Sequence, residues 1–185
     1  MSEIGKKIDR VIKEGLSIVM KDNGFKKNGR TFLKEIEDGW HIVNIQASSG
    51  NLGSEGKFTV NLGIINNLIA EKAGIKVPSK PKEYDSTVRE RLGFLVYGDD
   101  YWWSIDSNTD ITELASEISD AMFNHGLLWL QKFSEMADIS EKLKQQPSLE
   151  SIAAALIIGN EVEAKAMYEQ ILVDNPLAKS RLKPW

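Results

Sequence analysis

Apolar residues near the N-terminus recur at helical spacing. Ile4, Ile8, Val11, Ile12, Val19 and Met20 predict a helix over residues 3–22, with Ser2 placed to cap its start and Gly24 to end it. The period then shortens to two. Asn28-Gly29 supplies a turn, after which Arg30, Phe32, Lys34 and Ile36 share one side of a strand. Asp38-Gly39 reads as a hairpin turn, because both residue types tolerate positive φ. On the return strand, residues 40–48, the side chains of His41, Val43, Ile45 and Ala47 point one way and those of Trp40, Ile42, Asn44, Gln46 and Ser48 the other. A glycine-rich connection leads to a third strand, with Phe58, Val60, Leu62 and Ile64 toward the core and Lys57, Thr59, Asn61 and Gly63 opposite.

Residues 66–73 suggest a short helix, and residues 75–86, with two prolines, an exposed loop. Two further strands are expected at 88–97 and 101–105, joined by Gly98-Asp99-Asp100. A long helix then runs from about Asp110 to Ser134, broken or bent at Gly126. The pattern is helical again from Ile139, punctuated by Pro147 and Asn175-Pro176. Ile152, Leu156, Ile157, Val162, Ala166 and Ile171 mark a helical pair that must bury its apolar side. Strands bracketed by helices predict an α+β fold: an antiparallel sheet of about five strands packed against helices, with a C-terminal helical extension. The expected division is a domain at 1–136 and a helical tail at 137–185 packing on it. One sheet face is buried by helices and the other is partly free.

Composition narrows the chemistry. With no cysteine, disulfides, thiolate zinc sites and thiol nucleophiles are excluded. There is no apolar run long enough to span a bilayer, and the N-terminus lacks a secretory apolar core; no membrane is expected, and the cytoplasm is. Residues 1–98 carry sixteen basic and twelve acidic side chains, and residues 99–185 seven and fifteen. Neither half has the clustered basic footprint of a nucleic-acid binder, so no nucleic acid is expected. The acidic half suits a solvated helical surface, or steering of a basic protein partner.

The polar strand pair is the first candidate site. If residues 40–48 and 57–64 are neighbours, Asn44, Gln46, Ser48, Thr59 and Asn61 share one face. A solvated strand ordinarily carries Lys, Glu or Thr, and Asn is disfavoured there. An uncharged amide set beside Trp40 suits hydrogen bonding to a neutral polar ligand or a peptide backbone, and a free edge strand suits an added strand. Trp102 is a second candidate aromatic on that face, while Trp103 and Ile105 face the core. Arg30, Arg89 and Arg91 make an anion site if the strands bring them together, and otherwise form ion pairs.

Asp106, Asn108, Asp110 and Glu117 fall at calcium-loop positions. Ile111 stands where the loop needs glycine, however, and the preceding Tyr-Trp-Trp-Ser-Ile reads as strand. A helix cap by Asp110 or Thr112 is the better reading, so no metal is expected. Neither His41, on an apolar side, nor His125, near Gly126, belongs to a hydrolytic motif. There is no nucleophile elbow, phosphate loop or dinucleotide fingerprint. No cofactor is expected.

At FKKNGRTF, WHIVNIQASS, FTVNLGI, ERLGFL and YWWSI the chain resembles the domain of unknown function 4304 family of bacterial proteins, over roughly residues 5–133. The resemblance is carried by the order of these pieces and implies a fold and a face, with no reaction. The expected function is binding of a protein or peptide by Asn44, Gln46, Ser48 and Asn61, with Trp40 and Trp102 as apolar anchors. The alternatives are a small-molecule or anion binder, or an enzyme using Arg30 and Arg91, and an immunity protein whose acidic half meets a basic toxin. A convergent pocket favours a small ligand, and a shallow open face favours a macromolecular partner.

Overall fold

A computed structural model describes residues 2–177; residues 178–185 of the expected tail lie outside the described residues. Helix α1 (Glu3–Val11) continues through one π-helical turn (Ile12–Leu16) into α2 (Ser17–Asp22). Ser2 Oγ accepts from the Gly5 amide at 3.1 Å, and Gly24 ends the helix at φ +82°. Ile4, Ile8, Val11, Ile12, Leu16 and Met20 are buried along one side. The π turn brings Gly15 against helix α5 (Ile111–Ala121), so closely that a Cβ there would run into the Ala115 carbonyl.

The sheet is antiparallel throughout. Strands β1 (Lys26–Asn28), β2 (Thr31–Ile36), β3 (Gly39–Ala47), β4 (Gly56–Asn66) and β5 (Val88–Arg91) lie in that order, and β6 (Trp103–Ile105) also pairs with β4. Strands β3 and β4 pair Val43 with Leu62 and Ile45 with Val60 on the core face, and Asn44 with Asn61 and Gln46 with Thr59 on the other. Phe32, Phe58, Val60, Leu62, Trp103 and Ile105 meet α1, α2 and α5 in one core. Burying each large side chain there contributes about 1.5–3 kcal/mol.

Three local expectations need correction. The β2–β3 hairpin turns at Glu37-Asp38, with Gly39 already paired to Ile36. Within this hairpin only Gly39 has positive φ, +150°, and a Cβ on it would strike the Ile65 carbonyl. Residues 88–97 are not one strand, for the chain leaves the sheet at Arg91 and forms helix α4 (Leu92–Tyr97), ended by left-handed Gly98. A short apolar run such as Leu-Gly-Phe-Leu-Val-Tyr fits either period, and the packing of Gly93 on the Tyr101 carbonyl favours the helix. Of the break or bend expected at Gly126, the break is absent. A second π turn (Met122–Gly126) joins α5 to α6 (Leu127–Lys132), and Gly126 packs on Met122 and Leu92.

Helix α3 (Asn67–Lys72) follows β4. Helices α7 (Met136–Leu143), α8 (Leu149–Ile157) and α9 (Glu161–Asp174) complete the described chain. Helix α8 packs on α3 and α7 and sends Ala153 and Ala154 into the main core. Helix α9 packs on α8 through Ala164 and Met167. Of the residues expected on the apolar side of α9, Ile171 packs against α8, whereas Val162 and Ala166 are exposed. No helix among the described residues is long and apolar enough to cross a membrane.

Candidate functional site: a cleft along the β5 edge

Strands β5 and β6 are two pieces of one edge strand. Arg91 pairs with Asn61 and Trp103 with Phe58. Between these pairs β4 advances three positions while its partner advances twelve, so α4 and the turn after it are a loop thrown out of the strand. The expected hairpin between 88–97 and 101–105 is therefore absent, because both pieces pair with β4. The excursion returns Trp102 to the same side as Arg91. The Arg91 guanidinium lies 5.1 Å and the Lys57 ammonium 5.6 Å from its ring centroid. Arg91 also bonds Asp100, and this hydrogen bond holds the Asp100 carboxyl below the usual range. Trp103 faces the core, stacked on Phe58, and its Nε1 donates to Glu117 at 2.7 Å.

The amide face has two halves. Most of the segment 75–86 is exposed, as expected of a loop, but its end, Glu83 to Ser86, lies over Gly63. Pro81 is buried, and Ser86 presses on Gly63 so closely that a Cβ at Gly63 would overlap its hydroxyl. Ser86 Oγ is buried without a hydrogen-bond partner. Glycine within a strand signals such close approach, so Gly63 was the available clue to this strap. On the other half the amides are already engaged. Asn44 Nδ2 donates to Thr31 Oγ1 at 2.9 Å and Asn61 Nδ2 to Gln46 Oε1 at 3.0 Å. Thr59 is fully buried, its hydroxyl 3.4 Å from the Tyr101 carbonyl.

A cleft of about 740 Å³ wraps the edge of β5. Its floor is the five consecutive residues Thr87 to Arg91, a length of roughly 16 Å. Gln46, Asn61 and Asp100 lie at one end, while at the other Glu150 meets Thr87 and Ser148 lines the wall. Lys142, Leu143 and Gln146 supply a wall from the tail. The Arg91 amide donates to the Glu90 carboxylate at 3.1 Å instead of to β4. Strand alternation puts the Arg89 amide on the same outer edge.

The structure thus brings Gln46, Asn61, Arg91 and Trp102 together, with Asn44 beside them. It does not bring in the other three. Trp40 pairs with Ile65, four residues and roughly 13 Å from Asn44 along β3. Ser48 sits past the strand end, where its hydroxyl accepts from the Gly50 amide. Arg30 is on the helix side, where it donates to Asp9 at 2.7 Å and to the Gly5 carbonyl at 2.9 Å. The three arginines form no common anion site: Arg30 pairs with Asp9, Arg89 with Glu83 and Arg91 with Asp100.

Charge in the cleft is nearly balanced. Its remaining cation, Lys142, pairs with Glu90 at 3.0 Å. Glu83 and Glu150 were not foreseen as site residues, and burial pushes both carboxyls up, against Arg89 and Arg91 for Glu83 and against the Thr87 hydroxyl for Glu150. Perturbed carboxyls in a cleft are a recognised mark of a binding site.

Elsewhere, the calcium-loop positions do not converge. Asp106 bonds the Asn108 amide and Thr109, Asp110 caps α5 through the Thr112 and Glu113 amides, and Glu117 receives Tyr97 and Trp103. His41 Nε2 is 2.9 Å from Ser134 Oγ, but the hydroxyl donates to the Leu130 carbonyl at 3.0 Å. The imidazole therefore serves as donor, the wrong sense for activating a nucleophile. Burial, reinforced by Lys34, lowers its pKa to about 4.

The family model described as Domain of unknown function (DUF4304) matches residues 16–132, well over half of the chain, and the chain belongs to that family. No curated protein and no solved structure matches it.

Proposed function

We propose that this family member binds a protein partner by taking up an extended segment of it along the outer edge of β5. The observation that carries the reading is a cleft whose floor is an unpaired strand edge. The outer groups of Arg89 and Arg91 make a backbone ladder once the Glu90 carboxylate leaves the Arg91 amide, and the Gln46 and Asn61 amides, bonded to each other, lie at its end. Main-chain hydrogen bonds supply affinity in such strand addition, and alternate side-chain pockets supply choice of sequence. A small anion in the same cleft is the second reading, because Arg89, Arg91 and Lys142 line it. Each of these cations already has a carboxylate, and an anion would have to displace it. That favours the peptide.

Short peptides selected by display on the full chain test the reading. A bound peptide is expected to slow amide hydrogen exchange at residues 87–91, most at Arg89 and Arg91. Replacing Gln46 and Asn61 together by alanine weakens binding about tenfold, the loss of one or two hydrogen bonds. Recovery of no peptide, or protection confined to helices away from β5, rejects the reading.

A further inference from the structure

The cleft holds four carboxylates and three cations. Arg89 answers Glu83, Arg91 answers Asp100 and Lys142 answers Glu90. Glu150 is the carboxylate left over. It forms no ion pair among the described residues, and the Thr87 hydroxyl stands beside its carboxyl. It stands in the first turn of α8, at the end of the cleft where β5 begins.

Resting on the reading of β5 as a strand-accepting edge, the geometry points to Glu150 as the residue that selects a basic side chain, Lys or Arg, at the end of the bound segment nearest Thr87. The excess negative charge of the cleft is concentrated at this one carboxylate, since the other three are neutralised by neighbours. A partly buried carboxylate without a counter-charge is costly to keep ionised. A cation delivered by the ligand removes that cost and forms a charge-assisted bond where solvent is partly excluded. Burial raises the Glu150 carboxyl in the absence of such a partner, as this requires. The position of the residue adds a second consequence. The family match ends at residue 132, so the strand edge belongs to the shared domain, whereas the selecting group belongs to the tail that follows it.

The test uses the full chain and the peptides that display recovers on it. Each peptide carrying Lys or Arg is remade with norleucine or citrulline at that position. Both forms are then titrated against wild type and Glu150→Gln, after thermal melts establish that the variant is folded. The expected result is enrichment of a single basic position, about tenfold weaker binding of the neutral form to wild type, and no difference between the two forms on Glu150→Gln. Glu150→Lys is expected to prefer the same peptides with Glu at that position. Peptides that protect residues 87–91 but bind wild type and Glu150→Gln alike, basic or neutral, overturn the role of Glu150 and leave the strand-edge reading standing. If no peptide protects residues 87–91, the edge reading and this inference both fall.

Discussion

The two edges of the sheet are built on opposite plans. Strand β1 is three residues long, fully exposed and opens with two lysines, Lys26 and Lys27. Shortness and lysine are the usual means of making an edge unattractive to other strands. The opposite edge, β5 with β6, is longer and anchored in the core through Val88, Trp103 and Ile105. Its β5 portion lies in a cleft. The contrast is one of setting: the β1 edge faces solvent, whereas the β5 edge lies between the strap and α7–α8.

The sharpest way to break this contrast is to detach the anchored edge. Trp103→Ala removes a buried indole stacked on Phe58 and bonded to Glu117. It is expected to lower stability by about 3–5 kcal/mol, read from urea unfolding, and to free β6 from β4. A loss below about 1 kcal/mol shows that β6 merely rests on the sheet. The β1 side has its own weak point in His41, which stacks on Phe25 just before β1. Its folded pKa of about 4 lies below the ordinary 6.5. The unfolded chain therefore takes up the proton first, and stability is full above pH 6.5 and falls as pH drops toward 4. The loss is roughly 3 kcal/mol at most. His41→Gln should flatten the profile, and an unchanged slope in that variant assigns the loss to another group.

Gly63→Ala comes next. The added methyl overlaps the Ser86 hydroxyl, so the strap must lift, at a cost of about 1–3 kcal/mol. Faster amide exchange at residues 83–88 is the expected sign, and unchanged exchange there means that the strap does not guard the cleft. The smallest change in stability, within about 0.5 kcal/mol, is expected for Lys26→Thr with Lys27→Thr. It should leave a second receptive edge and promote concentration-dependent association, visible by sedimentation. A double variant that stays as dispersed as wild type shows that shortness alone protects β1.

The alternation of 40–48 and 57–64 made the two faces of β3 and β4 legible, whereas the register that pairs Asn44 with Asn61 and Gln46 with Thr59 came only with the structure. Asp110 was legible as a cap because its side chain acts on amides two and three residues away. Local periodicity failed at residues 92–97, where an apolar run of one helical turn or so carries no distinguishing phase. The cleft was beyond such reading for a different reason. Glu90 and Lys142 meet across a sequence separation of 52, and Glu83, Glu150 and the wall from α7 converge only once the tail docks. The pairing of each arginine with its own acid is likewise set by tertiary placement, since Arg30 finds Asp9 of α1 on the helix side of the sheet.

Trp102 and Trp103 are neighbours in sequence that face different surroundings. Strand alternation leaves Trp103 1% exposed in the core and sets Trp102, half-buried, between Arg91 and Lys57 on the opposite face. Kept one at a time, with the other tryptophans replaced by phenylalanine, the two become an optical gauge. The emission of Trp103 tracks the integrity of the core, whereas that of Trp102, open to collisional quenchers and flanked by charge, tracks the end of the cleft. A ligand settling on the edge should change the second signal and leave the first unmoved, and unfolding should shift both.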